Sequence, residues 1–188
     1  NQLAYNPATA GNFESPVVTA IYRKQWIGLD GAPDAQVLSY HQPMLGDRLG
    51  IGANLSRSSI GINRSITLDL IYAYRIPMRI GHFCIGLQPS VRNFYQNWAD
   101  DRLYSPTPPG TDAAIPTQPS SKWVVNMGAG LYYHNQDKGW YAGAAVPRIL
   151  PNSIDFAELG GELSRETFHL NAMAGLTFSP SEQLNIIP

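Results

Sequence analysis

The stretch SITLDLIYAYRIP, Ser65 to Pro77, decides how the chain is read. Its even positions, Ile66, Leu68, Leu70, Tyr72, Tyr74 and Ile76, are all apolar. Its odd positions, Ser65, Thr67, Asp69, Ile71, Ala73 and Arg75, are mixed. Period two sustained over about twelve residues is a strand pattern and not a helical one. A half-buried strand of a soluble sheet and a strand of a membrane barrel both alternate in this way. They differ in length, in which face is apolar, and in how the turns are arranged.

Composition narrows the choice. Only 14% of the 188 residues are charged, against roughly 25% in typical soluble domains. No run approaches the ~20 apolar residues of a transmembrane helix, so a helical membrane protein is excluded. A β-barrel is not, because alternation keeps the mean hydropathy low, here -0.19. A formal net charge of -1 provides no electrostatic footprint for nucleic acid. The single cysteine, Cys84, excludes an internal disulfide framework and a CxxC metal site. The chain starts at Asn1 without a leader and stops in LNIIP, which looks like the start of another strand, so both ends read as trimmed.

Working outward from 65–76, the other strands fall at 17–26, 35–43, 49–57, 79–94, 122–134, 140–149 and 167–179, about eight in all and antiparallel. The nearest helical candidate, DFAELGGELSRE, is broken by Gly160 and Gly161. Two stretches, 96–121 and about 150–165, read as long irregular loops. Both come after odd-numbered strands, and every even-numbered connection is short. Short turns at one end and longer loops at the other are the arrangement of an outer-membrane barrel.

The polar faces of 49–57 and 167–179 carry Gly, Asn, Ser, Thr and His rather than the Lys and Glu that a soluble sheet shows to water. Tyr22, Trp26, Tyr72, Tyr74, Trp123, Tyr133 and Trp140 fall toward strand ends, as an aromatic girdle requires. The even face of 65–76 is therefore read as lipid-facing, with Asp69 and Arg75 in the lumen. A soluble β-sandwich or lipocalin-like barrel is the alternative.

Chemistry-bearing residues are sparse. His41, His82, His134 and His169 have no HxH or HxxxH spacing. Cys84, His82 and Asp69 can be drawn as a nucleophile set, but an inert lumen cysteine is the plainer reading. Arg23, Gln25, Asp69 and Arg75 project from polar faces, where a structural lumen network accounts for them as well as a pore lining does. No catalytic, cofactor-binding or metal site is expected. The glycines of LGIGAN are not a phosphate loop, since no helix comes after them.

Several stretches resemble the PorP/SprF family. YNPATAG (5–11) resembles that family's opening block, and YRKQWIGLDGAP (22–33) its next one. LGIGANL, LDLIYAYRIPM, FCIGLQPS, GAGLYYHNQDKGWYAGAAVPRIL and FHLNAMAGLTFSPSEQL come in the family's order. The resemblance covers most of the chain outside 96–121 and 152–165. It marks Tyr5, Asn6, Pro7, Ala8, Gly11, Tyr22, Arg23, Gln25, Trp26, Gly31 and Pro33 as signature positions.

The resemblance implies an all-β, up-and-down transmembrane β-barrel of outer-membrane type, of which this chain is the N-terminal part. Residues 1–16 would form a turn or plug segment that Arg23 and Gln25 face from the first strand, and 17–188 the barrel. The resemblance implies a non-enzymatic component of the type IX secretion and gliding machinery of Bacteroidota, without cofactors. Its expected partners are outer-membrane lipid, a large surface adhesin with a C-terminal sorting domain, and periplasmic secretion-ring proteins. A solute channel or fatty-acid-transport-like barrel is the alternative. A soluble binding module using Trp98, Tyr104 and Trp123 is a second.

Overall fold

The computed structural model describes residues 2–46, 48–98, 100, 118–154, 165–176, 178–181 and 184–186. Most of the 96–121 loop, and 155–164 of the second loop, lie outside the described residues. Eight strands form one antiparallel sheet in chain order: β1 (Val17–Lys24), β2 (Asp34–Met44), β3 (Leu49–Ile60), β4 (Asn63–Met78), β5 (Gly81–Gln96), β6 (Ser120–Asn135), β7 (Trp140–Val146) and β8 (Asn171–Leu176). The sheet curls into a half-barrel. A separate hairpin pairs β9 (Phe178–Ser181) with β10 (Leu184–Ile186).

The strand reading of the sequence differs from the structure most clearly at three places, and the first strand also ends at Lys24, before Gln25 and Trp26. Residues 58–63 are not a loop: β3 and β4 run up to a tight turn, where Gly61 supplies a positive φ of 55°. The seventh strand stops at Val146 instead of residue 149, because Pro147 has no N–H to donate to a ladder. The eighth begins at Asn171 rather than at 167. Asn171 pairs with Ala145, almost the last residue of β7, so residues before it have no neighbour to pair with.

Along β4 exposure alternates strictly. Ile66, Leu68, Leu70, Tyr72 and Tyr74 are exposed, whereas Thr67, Asp69, Ile71 and Ala73 are buried. Register carries the same face across the sheet. Leu55, Leu68, Val91 and Val125 lie in one cross-strand row, and Ile51, Tyr72, Leu87 and Ala129 in another. This outward surface is apolar from Ile66 to Ile76 on β4, ten residue steps. Ten steps cover roughly 33 Å along a strand, or about 25 Å of height at ~40° tilt, the height of a barrel's apolar band.

The polar groups lie on the other face. Ser39, Asn54, Asp69, Ser90 and Asn126 form a single buried row across β2 to β6. A soluble sandwich has the opposite arrangement, with its apolar face against a second sheet. A contiguous apolar surface of this extent is not tolerated in water. The outward face is built for lipid, and the aromatic residues bound it: Tyr22 and Trp123 share one cross-strand level, and Tyr72 and Tyr74 lie toward the other end.

The inverted faces make a prediction. Leu70→Arg, in the middle of the apolar band, is expected to destabilise the barrel in lipid vesicles by about 2–4 kcal/mol, and Asn93→Arg, level with Trp123 at its rim, by ~1 or less. Urea titration of the vesicle-inserted protein, monitored by tryptophan fluorescence, measures both. Equal losses would show that the band does not face hydrocarbon.

Candidate functional site

The inner face carries a trough of small residues. Gly50, Ala73, Gly86, Gly130 and Ala145 are successive cross-strand neighbours from β3 to β7. The N-terminal segment lies crosswise in this trough. A Cβ on Gly50 would overlap the Ala10 carbonyl, one on Gly86 the Ala8 amide nitrogen, and one on Gly130 the Asn6 Oδ1. Only residues without side chains let one backbone come so close to another.

The segment arrives already shaped. Pro7–Thr9 is a single 3-10 turn, and Asn6 caps it by accepting from the Ala8 amide at 2.9 Å. Pro7 stands at the first position of the turn, where no N–H is needed. The seat holds the segment at several points. Asn6 Nδ2 donates to the Leu131 carbonyl at 3.0 Å, and Asn171 Nδ2 to the Tyr5 carbonyl at 3.1 Å. Gly11, at φ 70°, donates its amide to His41 Nδ1 at 3.1 Å. Arg75 donates to the Gly11 carbonyl and, at 3.4 Å, to Asn12 Oδ1. Leu3 and Ala10 pack with Ile71 and Ala73, and Ala8 packs with Cys84 and Tyr132.

A second inward segment comes after β7. Residues 147–153 cross the inner face of β6, where Asn126 Oδ1 accepts from the Ile149 and Leu150 amides, both at 3.0 Å, and its Nδ2 donates to the Leu150 carbonyl at 2.9 Å. Glu166 returns to the same place. Its carboxylate pairs with Arg92 at 3.2 Å and Arg148 at 3.1 Å and accepts from Asn126 Nδ2 at 2.9 Å. Arg92 is fixed in turn by Thr67 Oγ1 at 2.9 Å. The polar row continues away from Asn126: Asn54 Nδ2 donates to Asp69 Oδ2 at 3.1 Å, and Ser39 Oγ to Asn54 Oδ1 at 2.7 Å.

The family scan decides what this sheet is part of: the model for the type IX secretion system membrane protein PorP/SprF matches residues 1–188. The chain belongs to the PorP/SprF family. Searches of curated proteins and of solved structures return no match.

Within this PorP/SprF chain the signature residues separate into two places. Asn6, Pro7, Ala8 and Gly11 are buried in the trough, and Tyr5 beside them is exposed. Tyr22, Arg23, Gln25, Trp26, Gly31 and Pro33 lie at the far end of β1 and in the connection to β2. Arg23 pairs with Ala35, whereas the N-terminal segment meets β2 at His41. Arg23 and Gln25 are therefore not brought to the N-terminal turn. Asp69 and Arg75 both stand on the inner face, but apart: Asp69 joins the polar row, and Arg75 grips the N-terminal segment.

The Cys84, His82, Asp69 set does not assemble. Asp69 lies opposite Ser90, six residues along β5 from Cys84, roughly 20 Å away at the rise of a strand. Trp123 stands 70% exposed on the lipid-facing side, and Tyr104 lies outside the described residues. Among the described residues no group of His, Cys, Asp and Glu could hold a metal ion. The sequence reading missed Asn126, Arg92, Arg148 and Glu166. The period-two pattern of β5 and β6 already put Arg92 and Asn126 on the inner face. Nothing in the sequence shows that Glu166 turns back to meet them.

Two outcomes test the seats. Gly86→Val is expected to speed amide exchange of residues 2–12 at least tenfold and leave the sheet protected, whereas Asn6→Ala, which loses a cap worth ~1 kcal/mol, should speed it about fivefold. Glu166→Gln leaves two guanidinium groups without their counter-charge. A fully buried pair broken this way costs ~3–5 kcal/mol, and the partial exposure of both arginines brings the expectation to about 2. Hydrogen exchange at Ile149 and Leu150 should rise accordingly, with residues 2–12 unaffected.

Proposed function

We propose that this PorP/SprF chain forms part of an outer-membrane β-barrel that helps export or anchor large cell-surface adhesins and performs no chemistry of its own. The observation that carries this reading is the occupied inner face. The N-terminal segment lies in the trough from β3 to β7, and residues 147–153 cover part of β6, so the inner face of this half-barrel is lined by the chain's own backbone. Such a barrel offers its two ends to partners rather than a path between them. The solute-channel reading remains the alternative that conductance tests.

On this proposal YNPATAG is a plug, and Arg75 with His41 its latch. The short turns at 45–48, 79–80 and 136–139 face the periplasm, where secretion-ring proteins would dock. The connections that leave β5 and β7 depart from the other end, which faces the cell exterior and carries the signature residues Tyr22, Arg23, Gln25, Trp26, Gly31 and Pro33. An adhesin with a C-terminal sorting domain would be held there.

The test uses native cells. Outer membranes are isolated and washed with carbonate and urea, and intact cells are treated with protease. The expected result is retention in the washed membrane, a cut within 96–121, and co-purification of a large adhesin or ring protein from the detergent extract. Release by the wash would sink the barrel reading. Solute-dependent conductance of the reconstituted protein, without any co-purifying partner, would favour a channel.

A further inference from the structure

Above the apolar band, at the end where β1 meets β2 through residues 25–33, the outward face turns basic. Lys24, Asp34, Ser59 and Arg64 form one cross-strand row. Arg57 stands one row closer to the band, level with Tyr22, Ile66 and Trp123. The 25–33 connection folds back over these residues: Gln25 donates its amide to the Pro33 carbonyl at 2.9 Å, and Gly61 donates to the Gly31 carbonyl at 2.8 Å. Beneath it lies a cleft of about 290 Å³ lined by Lys24, Arg57, Arg64, Asp30, Asp34 and Ser59.

The cleft holds three cations and two carboxylates, and among the described residues no carboxylate pairs with Lys24, Arg57 or Arg64. Arg64 instead lies 5.9 Å above the Tyr95 ring. Asp34 Oδ1 is buried without a hydrogen-bond donor. A guanidinium without a carboxylate partner at the upper edge of hydrocarbon is left to water or to an anion from outside the chain. Directly below, a groove of about 530 Å³ runs down the lipid-facing side between Ala20, Leu38, Leu55 and Ile66, and Arg57 lines both spaces.

We propose that cleft and groove together form a binding site for a phosphate-bearing lipid. The phosphate sits among Lys24, Arg57 and Arg64, a hydroxyl or amine of the same headgroup donates to Asp34, and one acyl chain lies in the groove. A soluble anion would need only the cleft; the continuous groove is what assigns the ligand to the membrane. The site rests on the outward face meeting lipid and is independent of any cargo.

The full-length protein, purified in detergent, is exchanged with monophosphorylated lipid A, with its dephosphorylated form, and with millimolar inorganic phosphate, and retention is read by native mass spectrometry. Retention of the phosphorylated lipid, at least tenfold over the dephosphorylated one, is expected. Arg57→Gln combined with Arg64→Gln should lower it at least tenfold, as should Leu55→Trp, which fills the groove. Asp30→Asn removes a competing negative charge and should raise retention severalfold, which keeps the test readable if the double variant fails to fold. Equal retention of the two lipids, or no change in the charge variants, would overturn the site. Binding of inorganic phosphate without lipid would reassign the cleft to a soluble anion and overturn the proposal equally.

Discussion

Hydrocarbon offers no hydrogen bonds, and that constraint shapes everything else in this sheet. Each strand must satisfy its backbone against a neighbour, and each outward side chain must be apolar. Within the span of the band, polar residues then gather mostly on the inner face. There they are too many and too close to stand alone, so they are joined. Ser39, Asn54, Asp69, Ser90 and Asn126 form a row in which amides and hydroxyls partner one another across strands. The same constraint explains why charge is scarce. Within the sheet's interior Arg75 and Arg92 each find acceptors at once, in the N-terminal segment and in Glu166.

The inner face of the sheet is lined by the chain itself. A trough of glycine and alanine is a surface without bulk, and it binds nothing unless a backbone is laid into it. The Asn6-capped turn is such a backbone, with Pro7 and the cap bond restricting it locally. Where 147–153 crosses β6, the means differ. One asparagine, Asn126, replaces the missing ladder partner by accepting two amides and donating to one carbonyl. Both devices pair backbone groups that would otherwise be buried without partners.

Outward and inward faces thus divide the protein's work. The inward seats line the inner face of the sheet with the chain's own backbone. At the rim beyond β1 and β2 the apolar band meets cations, with Arg57 standing directly opposite Ile66 on the same level. This boundary is where the membrane's own chemistry changes from tails to headgroups.

The fold was legible in the sequence because period two is a local property. Each strand of a lipid-facing sheet repeats it without help from its neighbours, so 65–76 alone determined which side chains face out, and Asp69 and Arg75 were placed inward before any partner was known. The cap at Asn6 is equally local, an asparagine before Pro7 acting within its own turn, but it was recognised only in the structure. Meetings between distant segments were decided by the tertiary structure alone. The small-residue trough needs the register of five strands, and its occupant comes from far off in the chain, as the pairing of Gly11 with His41 shows. Glu166 reaches Arg92 across 74 residues. No periodicity records such contacts, because they depend on how strands align side by side and not on the order of residues along the chain. For that reason Arg23 and Gln25, polar and close in sequence to YNPATAG, lie at the opposite end of β1: a strand carries its residues away from its own start.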